Sequence, residues 1–155
     1  MAVVLAGLLH EQHVVLELRA RTGEAALREI VATIADSAEL RDPEEFLREV
    51  CAREEQHSTY LGHGVALPHA RTDLVSEIVL GIGRSHAGIP FGENREPAHL
   101  LFLIGVPQRL VTDYLVCVGA LARLTSEEKT RTAIMDAATA PELLEILREG
   151  SLLLE

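Results

Sequence analysis

The sequence predicts an α/β fold of the α+β kind, a small mixed β-sheet with helices on both of its faces. Three short aliphatic runs, 65–67, 78–82 and 100–106, each end at Gly or Pro. Such runs are typical of strands buried on both faces, which requires helices on both sides. Helix-start signals precede and follow them without strict alternation, which favours a mixed sheet. The length of 155 residues predicts a single domain over 1–155.

The first part of the chain predicts one strand and two helices. Residues 13–18 alternate in polarity and are rich in β-branched side chains, which indicates a strand. Thr22 is placed to cap a helix that reaches about residue 36 and has one apolar face. The run 42–45, Asp-Pro-Glu-Glu, supplies an N-cap, a first-turn proline and an N3 glutamate. It predicts a second helix, with Arg53 near its C-terminal end.

The second part predicts a loop and three further helices. Residues 88–97 are rich in turn-forming types and indicate a loop. Residues 112–124 are apolar nearly all round, which predicts a buried helix. Capping boxes at 125–128 and 139–142 predict two more helices, and Gly150 is the expected stop of the second.

Composition excludes several classes of function. The net charge of −10 argues against nucleic-acid binding, which needs a basic footprint. Cys51 and Cys117 lack metal or redox spacing and indicate buried thiols in a reducing compartment. The longest apolar runs, 2–9 and 100–106, fall short of the ~20 residues of a membrane helix, and the N-terminus lacks a signal-peptide pattern. We therefore expect a cytoplasmic protein.

The segment 53–71 is the part of the chain richest in chemical groups. It reads Arg-Glu-Glu-Gln-His-Ser-Thr-Tyr-Leu-Gly-His-Gly-Val-Ala-Leu-Pro-His-Ala-Arg. Pro68 biases Leu67 toward extended geometry and is expected to end the strand, which places His69 at a strand end. A neutral imidazole on a fixed backbone is a good nitrogen nucleophile near neutral pH, because its unperturbed pKa is about 6.5.

Other residues of this segment are suited to binding an anion. Arg53 offers a forked cation, and Ser58 and Thr59 offer hydroxyl donors. Gly62 and Gly64 allow backbone N–H groups to approach a charged group closely. The alternative interpretation of Arg53 is a solvated charge that complements the helix dipole.

The histidines require a metal site to be considered. His57, His63 and His69 are spaced six residues apart, with no carboxylate or thiol in an obvious ligand position. We therefore expect no metal and no cofactor. His63 is expected beside His69, His57 in an exposed turn, His86 at the surface and His99 packed in the interior.

The segment resembles the active-site signature of the enzyme IIA proteins of the bacterial phosphotransferase system, in the fructose–mannitol–nitrogen-regulatory family. The resemblance lies in Arg-Glu-Glu and in Ser-Thr-x-Leu-Gly-x-Gly-Val-Ala-Leu-Pro-His-Ala-Arg, and it extends to 91–92, 101–107 and 121–124. It implies a small mixed sheet flanked by helices. It also implies that His69 accepts a phosphoryl group on Nε2, with Nδ1–H bound to an acceptor.

Tyr114 departs from the pattern of this family. Many sugar-transferring members carry a second histidine near the phosphoryl site, and the matching position here is Tyr114. A phenol donates a hydrogen bond, but its pKa near 10 makes it a poor base. The departure weakens the assignment to sugar transport without affecting His69.

Three functions follow as hypotheses. In the first, the protein is a phosphotransferase component that takes a phosphoryl group from a histidine phosphocarrier protein onto His69. It passes the group to a IIB-type partner, meeting a membrane only through a transporter, or keeps it as a signal. In the second, it is a regulatory binding domain that controls a transporter or another partner. In the third, the clustered histidines build a metal-dependent hydrolase.

Overall fold

The protein is a mixed β-sheet held between two layers of helices, in a computed structural model that describes residues 3–153. The helices are α1 (Val3–Ala6), α2 (Gly23–Ile34), α3 (Pro43–Gln56), α4 (Val111–Thr125), α5 (Glu128–Asp136) and α6 (Ala140–Leu153). The strands are β1 (Val14–Val15), β2 (Tyr60–Gly62), β3 (Val65–Ala66), β4 (His69–Arg71), β5 (Val79–Phe91) and β6 (Glu96–Val106). Short 3₁₀ turns occupy Glu11–His13 and Gln108–Leu110.

The sheet is built around the antiparallel hairpin of β5 and β6. Its strand order is β1-β5-β6-β3-β2, and β4 pairs with β6 beyond β3. The pairs β1–β5, β3–β6 and β4–β6 are parallel, whereas β5–β6 and β2–β3 are antiparallel. This arrangement confirms the predicted mixed sheet.

The two faces of the sheet bury different helices. Even-numbered residues of β6 from 100 to 106 pack with residues of α4 and α6, and residues 101 and 103 pack with α2 and α3. Because successive side chains of a strand point to opposite faces, a continuous aliphatic run fills both interiors. The prediction of strands buried on both faces is confirmed.

The first two long helices begin where the sequence indicates. The Thr22 hydroxyl accepts the backbone N–H of Ala25, and the Asp42 carboxylate accepts that of Glu45. Helix α3 runs to Gln56, so Arg53 lies in its last turn, as predicted. The predicted strand at 13–18 is reduced to β1, because His13 belongs to a 3₁₀ turn.

The predicted loop at 88–97 is wrong over most of its length. The hairpin continues through it, pairing Ile89 with Ala98 and Phe91 with Glu96, and only residues 92–95 form the turn. The register shifts between Arg84 and Ile89, so the turn-forming residues lie in a bulged extension of the strands.

Helix α4 is only partly buried, which corrects the prediction of a buried helix. Cys117 and Leu121 are fully buried against the sheet, whereas Leu115 is 59% exposed and Val116 is 37% exposed. Helix α4, which is apolar on nearly every side, thus has one face buried against the sheet and one apolar face exposed to solvent. Within residues 3–153, no helix combines the length and apolarity needed to cross a membrane.

Two predicted capping features also differ in the structure. Thr125 does not cap α5; it ends α4, and its hydroxyl donates to the carbonyl of Leu121. Gly150 does not end α6, which runs on to Leu153. A Cβ at Gly150 would lie 2.4 Å from Leu124 Cδ2, so glycine serves close helix packing here rather than termination.

Candidate active site

His69 lies at the start of strand β4, where it pairs with Ile104 of β6. The predicted strand end before His69 is therefore a short break between β3 and β4, both of which pair with β6. Pro68 has no N–H, but its carbonyl accepts the backbone N–H of Ile104 at 2.9 Å, and pairing with β6 resumes at the histidine. Because β4 is short and pairs with β6 alone, His69 is held by the sheet and remains only half-buried.

Both nitrogens of the His69 ring have partners. Nδ1 lies 3.0 Å from the carbonyl oxygen of Leu67, and Nε2 lies 3.1 Å from the hydroxyl oxygen of Tyr114. A carbonyl only accepts, so Nδ1 carries the proton and donates to Leu67. Nε2 is then the acceptor, and the Tyr114 hydroxyl donates to it. The nitrogen left with a lone pair is the one that the resemblance requires.

The surroundings of His69 favour its neutral form. Burial is the main cause of a lowered pKa of the imidazole. The bond to Leu67 opposes this shift, and the positive charges of Arg53 and Arg71 reinforce it. Burial likewise raises the pKa of the Tyr114 phenol, which keeps its proton available for donation. The site therefore holds a neutral imidazole and a protonated phenol near neutral pH.

An open cavity of about 290 Å³ lies in front of His69. Its lining comes from the last turns of α3 and from β4: Glu49, Ala52, Arg53, Gln56, His69, Ala70 and Arg71. Two arginines face one glutamate there, although the chain as a whole carries a net charge of −10. The cavity is therefore suited to an anion.

Arg53 belongs to this cavity and also completes the end of α3. Its Nη1 donates to the carbonyl oxygen of His57 at 2.7 Å, and its own carbonyl accepts the backbone N–H of His57. Both interpretations of Arg53 therefore have a structural basis. A guanidinium has five N–H donors, so binding one carbonyl leaves others for the cavity.

Ser58 and Thr59 are bound by Glu54, which the sequence analysis did not select. Ser58 Oγ and Thr59 Oγ1 donate to the Glu54 carboxylate at 2.7 and 2.6 Å, and the Thr59 N–H donates at 3.0 Å. The Thr59 carbonyl in turn accepts the N–H of Leu67, whose own carbonyl holds His69. Both hydroxyls thus stabilise the loop rather than line the cavity. The sequence signal for this role was the position of Glu54, which lies four residues before Ser58 and five before Thr59.

The two glycines flanking His63 shape the β2–β3 hairpin. Gly62, His63 and Gly64 all have positive φ, at 106°, 55° and 80°. The N–H of Gly64 donates to the Tyr60 hydroxyl at 2.9 Å, and a Cβ at Gly64 would lie 2.9 Å from Cδ2 of His99. None of the three lines the cavity in front of His69.

The structure corrects the prediction that His63 lies beside His69. Val65 pairs with Leu100 and His69 pairs with Ile104, which separates these two positions by about 13 Å along β6. His63 lies further in the same direction, in the hairpin turn, and lines a different cavity.

The three histidines considered for a metal do not converge. His57 is exposed at the end of α3, His63 is in the hairpin turn, and His69 is on β4. In the described part of the chain, no group of three or more His, Cys, Asp or Glu residues is placed to hold a metal ion.

Comparisons with known proteins agree on one family. The family model described as "Phosphoenolpyruvate-dependent sugar phosphotransferase system, EIIA 2" matches residues 7–150. A fructose-specific EIIA component of Haloferax volcanii is 32% identical over 129 residues, covering 83% of this chain and 84% of that protein. A fructose-specific EIIABC component of Bacillus subtilis is 27% identical over 143 residues, covering 92% of this chain. The chain spans only 22% of that longer protein.

Solved structures with this fold are also similar. The nitrogen regulatory protein IIA-Ntr of Neisseria meningitidis has a TM-score of 0.86 at 25% identity, over 93% of this chain and 99% of that one. The mannitol enzyme IIA of Escherichia coli, in complex with phosphorylated enzyme IIB, has a TM-score of 0.80 at 22% identity. That match covers 91% of this chain and 97% of that one, and at this identity it shows a shared fold.

Proposed function

Because this chain belongs to the EIIA 2 family of the phosphoenolpyruvate-dependent sugar phosphotransferase system, we propose that it is a phosphocarrier acting through His69. Nε2 of His69 accepts a phosphoryl group from a phosphorylated histidine phosphocarrier protein. The group then passes to a IIB-type partner. The protein is a phosphotransferase component of a relay, and turnover requires both partners.

The observation that carries this proposal is the bonding of the His69 ring. Nδ1–H donates to Leu67, and Nε2 presents its lone pair toward Tyr114, beside a cavity lined by two arginines. The lowered pKa keeps this ring neutral at cytosolic pH. A neutral, oriented imidazole beside a cavity lined by two arginines meets the requirements of phosphoryl transfer, which are positioning and charge stabilisation.

Tyr114 must release Nε2 before the nitrogen can attack phosphorus, because one lone pair cannot serve both. The hydroxyl then donates to a phosphoryl oxygen, so the hydrogen bond is exchanged rather than lost. Arg53 stabilises the negative charge of the transferring group from its fixed place in α3. No base is needed, because Nδ1 keeps its proton throughout and donates it in a hydrogen bond to the carbonyl oxygen of Leu67.

The proposed partners follow from the family and from the charge of the chain. A protein with a net charge of −10 is suited to partners with a basic docking surface. The E. coli mannitol enzyme IIA of the same fold is found with phosphorylated enzyme IIB, which supports a IIB-type acceptor here. We place the relay in the cytoplasm, with the membrane reached only through a transporter.

A regulatory function is the second candidate, and two observations favour it. Tyr114 stands where many sugar-transferring members have a histidine, and the N. meningitidis nitrogen regulatory protein is similar over most of the chain. In this version, the phosphorylated and free forms of His69 control a partner, and phosphoryl flow to a sugar is slow.

The test uses the purified chain, enzyme I, histidine phosphocarrier protein and labelled phosphoenolpyruvate. We expect one phosphate per chain, labile in acid and stable in base, as for a phosphohistidine. Addition of a IIB-type protein then distinguishes the two candidates. Rapid loss of label to the IIB protein supports the relay, and a label that persists supports the regulatory function. The absence of labelling would contradict both phosphorylation-dependent proposals.

A further inference from the structure

Arg71 is a cation at the candidate site that the sequence analysis did not select. It lies two residues after His69 on β4, so both side chains project from the same side of the strand. Both also line the same cavity. Arg71 is exposed, and within residues 3–153 its guanidinium makes no hydrogen bond or ion pair.

The other charged groups of the cavity do not neutralise Arg71. Glu49 is the acidic side chain of the lining, and it forms no ion pair with either arginine in the described part of the chain. Arg53 is already bound through Nη1 to a carbonyl of its own helix end. Of the two arginines that line this cavity, Arg71 is thus the one with all of its guanidinium N–H donors available to bind a ligand.

The charge of Arg71 reaches the reacting atoms. After the larger effects of burial and Arg53, it is a minor cause of the lowered pKa of His69, and it opposes the rise that burial causes in the pKa of the Tyr114 phenol. A solvated surface arginine far from the site would do neither. A guanidinium that lines the same cavity as His69 presents a planar set of donors that matches phosphoryl oxygens.

We propose that Arg71 is a second phosphoryl-binding residue, which captures the oxygens of the incoming group on the open side of the cavity. The proposal rests on the phosphocarrier function of His69. Arg71 binds the phosphoryl group while it is still on the donor protein, and Arg53 binds it from α3 during transfer.

The transfer step needs no further reactant. The bond between phosphorus and the donor's imidazole nitrogen breaks, and its electron pair stays on that nitrogen. The lone pair of His69 Nε2 forms the new bond to phosphorus. Each ring keeps the proton on its other nitrogen, so the positive charge of the phosphorylated ring moves with the phosphoryl group from donor to His69.

The two arginines are expected to affect different kinetic constants. An exposed, unattached guanidinium meets the donor before the reaction, so its loss weakens binding of substrate and transition state alike. Arg71→Gln is expected to raise KM for the phosphorylated donor about tenfold, the effect of one hydrogen bond to a charged group. Its kcat is expected to stay within about twofold.

The experiment compares Arg71→Gln, Arg71→Lys and Arg95→Gln under steady-state phosphorylation. Arg95 is the matched control because it is exposed and lies about 30 Å from His69 by strand register, and because Arg95→Gln removes the same charge as Arg71→Gln. We expect Arg95→Gln to match wild type and Arg71→Lys to recover KM to within about threefold. The ³¹P resonance of the phosphorylated protein is expected to move in Arg71→Gln and not in Arg95→Gln.

Each result decides one question. If wild type and Arg95→Gln are labelled normally and Arg71→Gln has an unchanged KM, the inference is overturned while the phosphocarrier function stands. A raised KM with an unmoved ³¹P resonance would mean that Arg71 contacts the donor's protein surface, which also overturns it. If wild type itself takes no label, the proposed function fails, and this inference fails with it.

Discussion

His69 and His86 are both strand histidines, and their surroundings give them opposite chemistry. His69 donates through Nδ1 to a carbonyl and accepts through Nε2 from a phenol. In His86, Nδ1 lies 2.6 Å from a Glu17 carboxylate oxygen and Nε2 lies 2.9 Å from the carbonyl of Met135. Both partners of His86 only accept, so they favour the protonated ring, in which both nitrogens donate.

The consequence is that the neutral imidazole is favoured at His69 and the protonated ring at His86. Burial lowers the pKa of His69, whereas the bonds to Glu17 and Met135 raise the pKa of His86. His86 and the buried Arg84 both bind carbonyls at the end of α5, where cations are favourable. Whether a histidine is favoured as a neutral imidazole or as a cation therefore depends on its burial and on whether its second partner donates or accepts.

The largest expected effect comes from removing each ring. His69→Ala is expected to fold and to lose all base-stable phosphate, because the attacking nitrogen is gone. His86→Ala is expected to keep full labelling. Intact-mass measurement after incubation with labelled phosphoenolpyruvate checks both variants. Equal labelling of the His69 variant and wild type would assign the nucleophile to another residue.

The cation beside His69 is expected to have the next largest effect. Arg53→Ala is expected to slow phosphorylation by roughly 10²–10³, the loss typical of one preorganised charge-stabilising donor. Its Nη1 also binds a carbonyl at the end of α3, so circular dichroism melting serves as the stability control. A folded variant with the wild-type rate would leave Arg53 as a helix-end residue only.

The donor to Nε2 is expected to matter less. Tyr114→Phe removes one hydrogen bond and is expected to slow phosphoryl transfer by about tenfold, equivalent to about 1.4 kcal/mol. Tyr114→His is expected to be tolerated. Rapid-quench measurement of phosphorylation and dephosphorylation checks both variants. A Phe variant identical to wild type in both directions would reduce Tyr114 to a packing role.

The titration of the two rings tests the comparison directly. In NMR of the ring C–H signals, we expect the titration midpoint of His69 below 6.5, the ordinary pKa of a histidine, and the midpoint of His86 above it. Because only neutral His69 attacks, the phosphorylation rate is expected to stay flat from pH 8 down past 6.5 and then to fall. Midpoints in the reverse order would refute the assignment of the two rings.

The smallest expected effect is on stability. Folding raises the pKa of His86, so protonated His86 adds to the free energy of unfolding. This contribution is fully present below about pH 6.5 and is lost as the pH rises through the pKa of His86 in the folded protein. The difference in urea midpoint between wild type and His86→Gln is therefore expected to be larger at pH 6 than at pH 9. The difference should be small, because the His86 side chain is 55% exposed. A difference in urea midpoint that stays constant across this pH range would show that protonation of His86 does not stabilise the fold.

Local signals determined much of this protein before any tertiary contact is considered. These signals act over four or five residues, and they are the caps at Thr22 and Asp42, the aliphatic runs and the Pro68-His69 step. They predicted the mixed sheet with helices on both faces, which the structure has. The resemblance likewise predicted a donating Nδ1 on His69, and the structure has that bond.

Tertiary structure decided what these signals leave open. Gly150 continues a helix because Leu124 packs against it, and 88–97 pairs across a hairpin despite its turn-forming residues. Arg71 joins the site because β4 resumes pairing after Pro68 and faces α3. His69 and His86 have the same intrinsic pKa, so their charge depends on partners 45 to 69 residues away in sequence. Charge state is set by burial and by the chemistry of the neighbour, and only the folded chain brings those neighbours together.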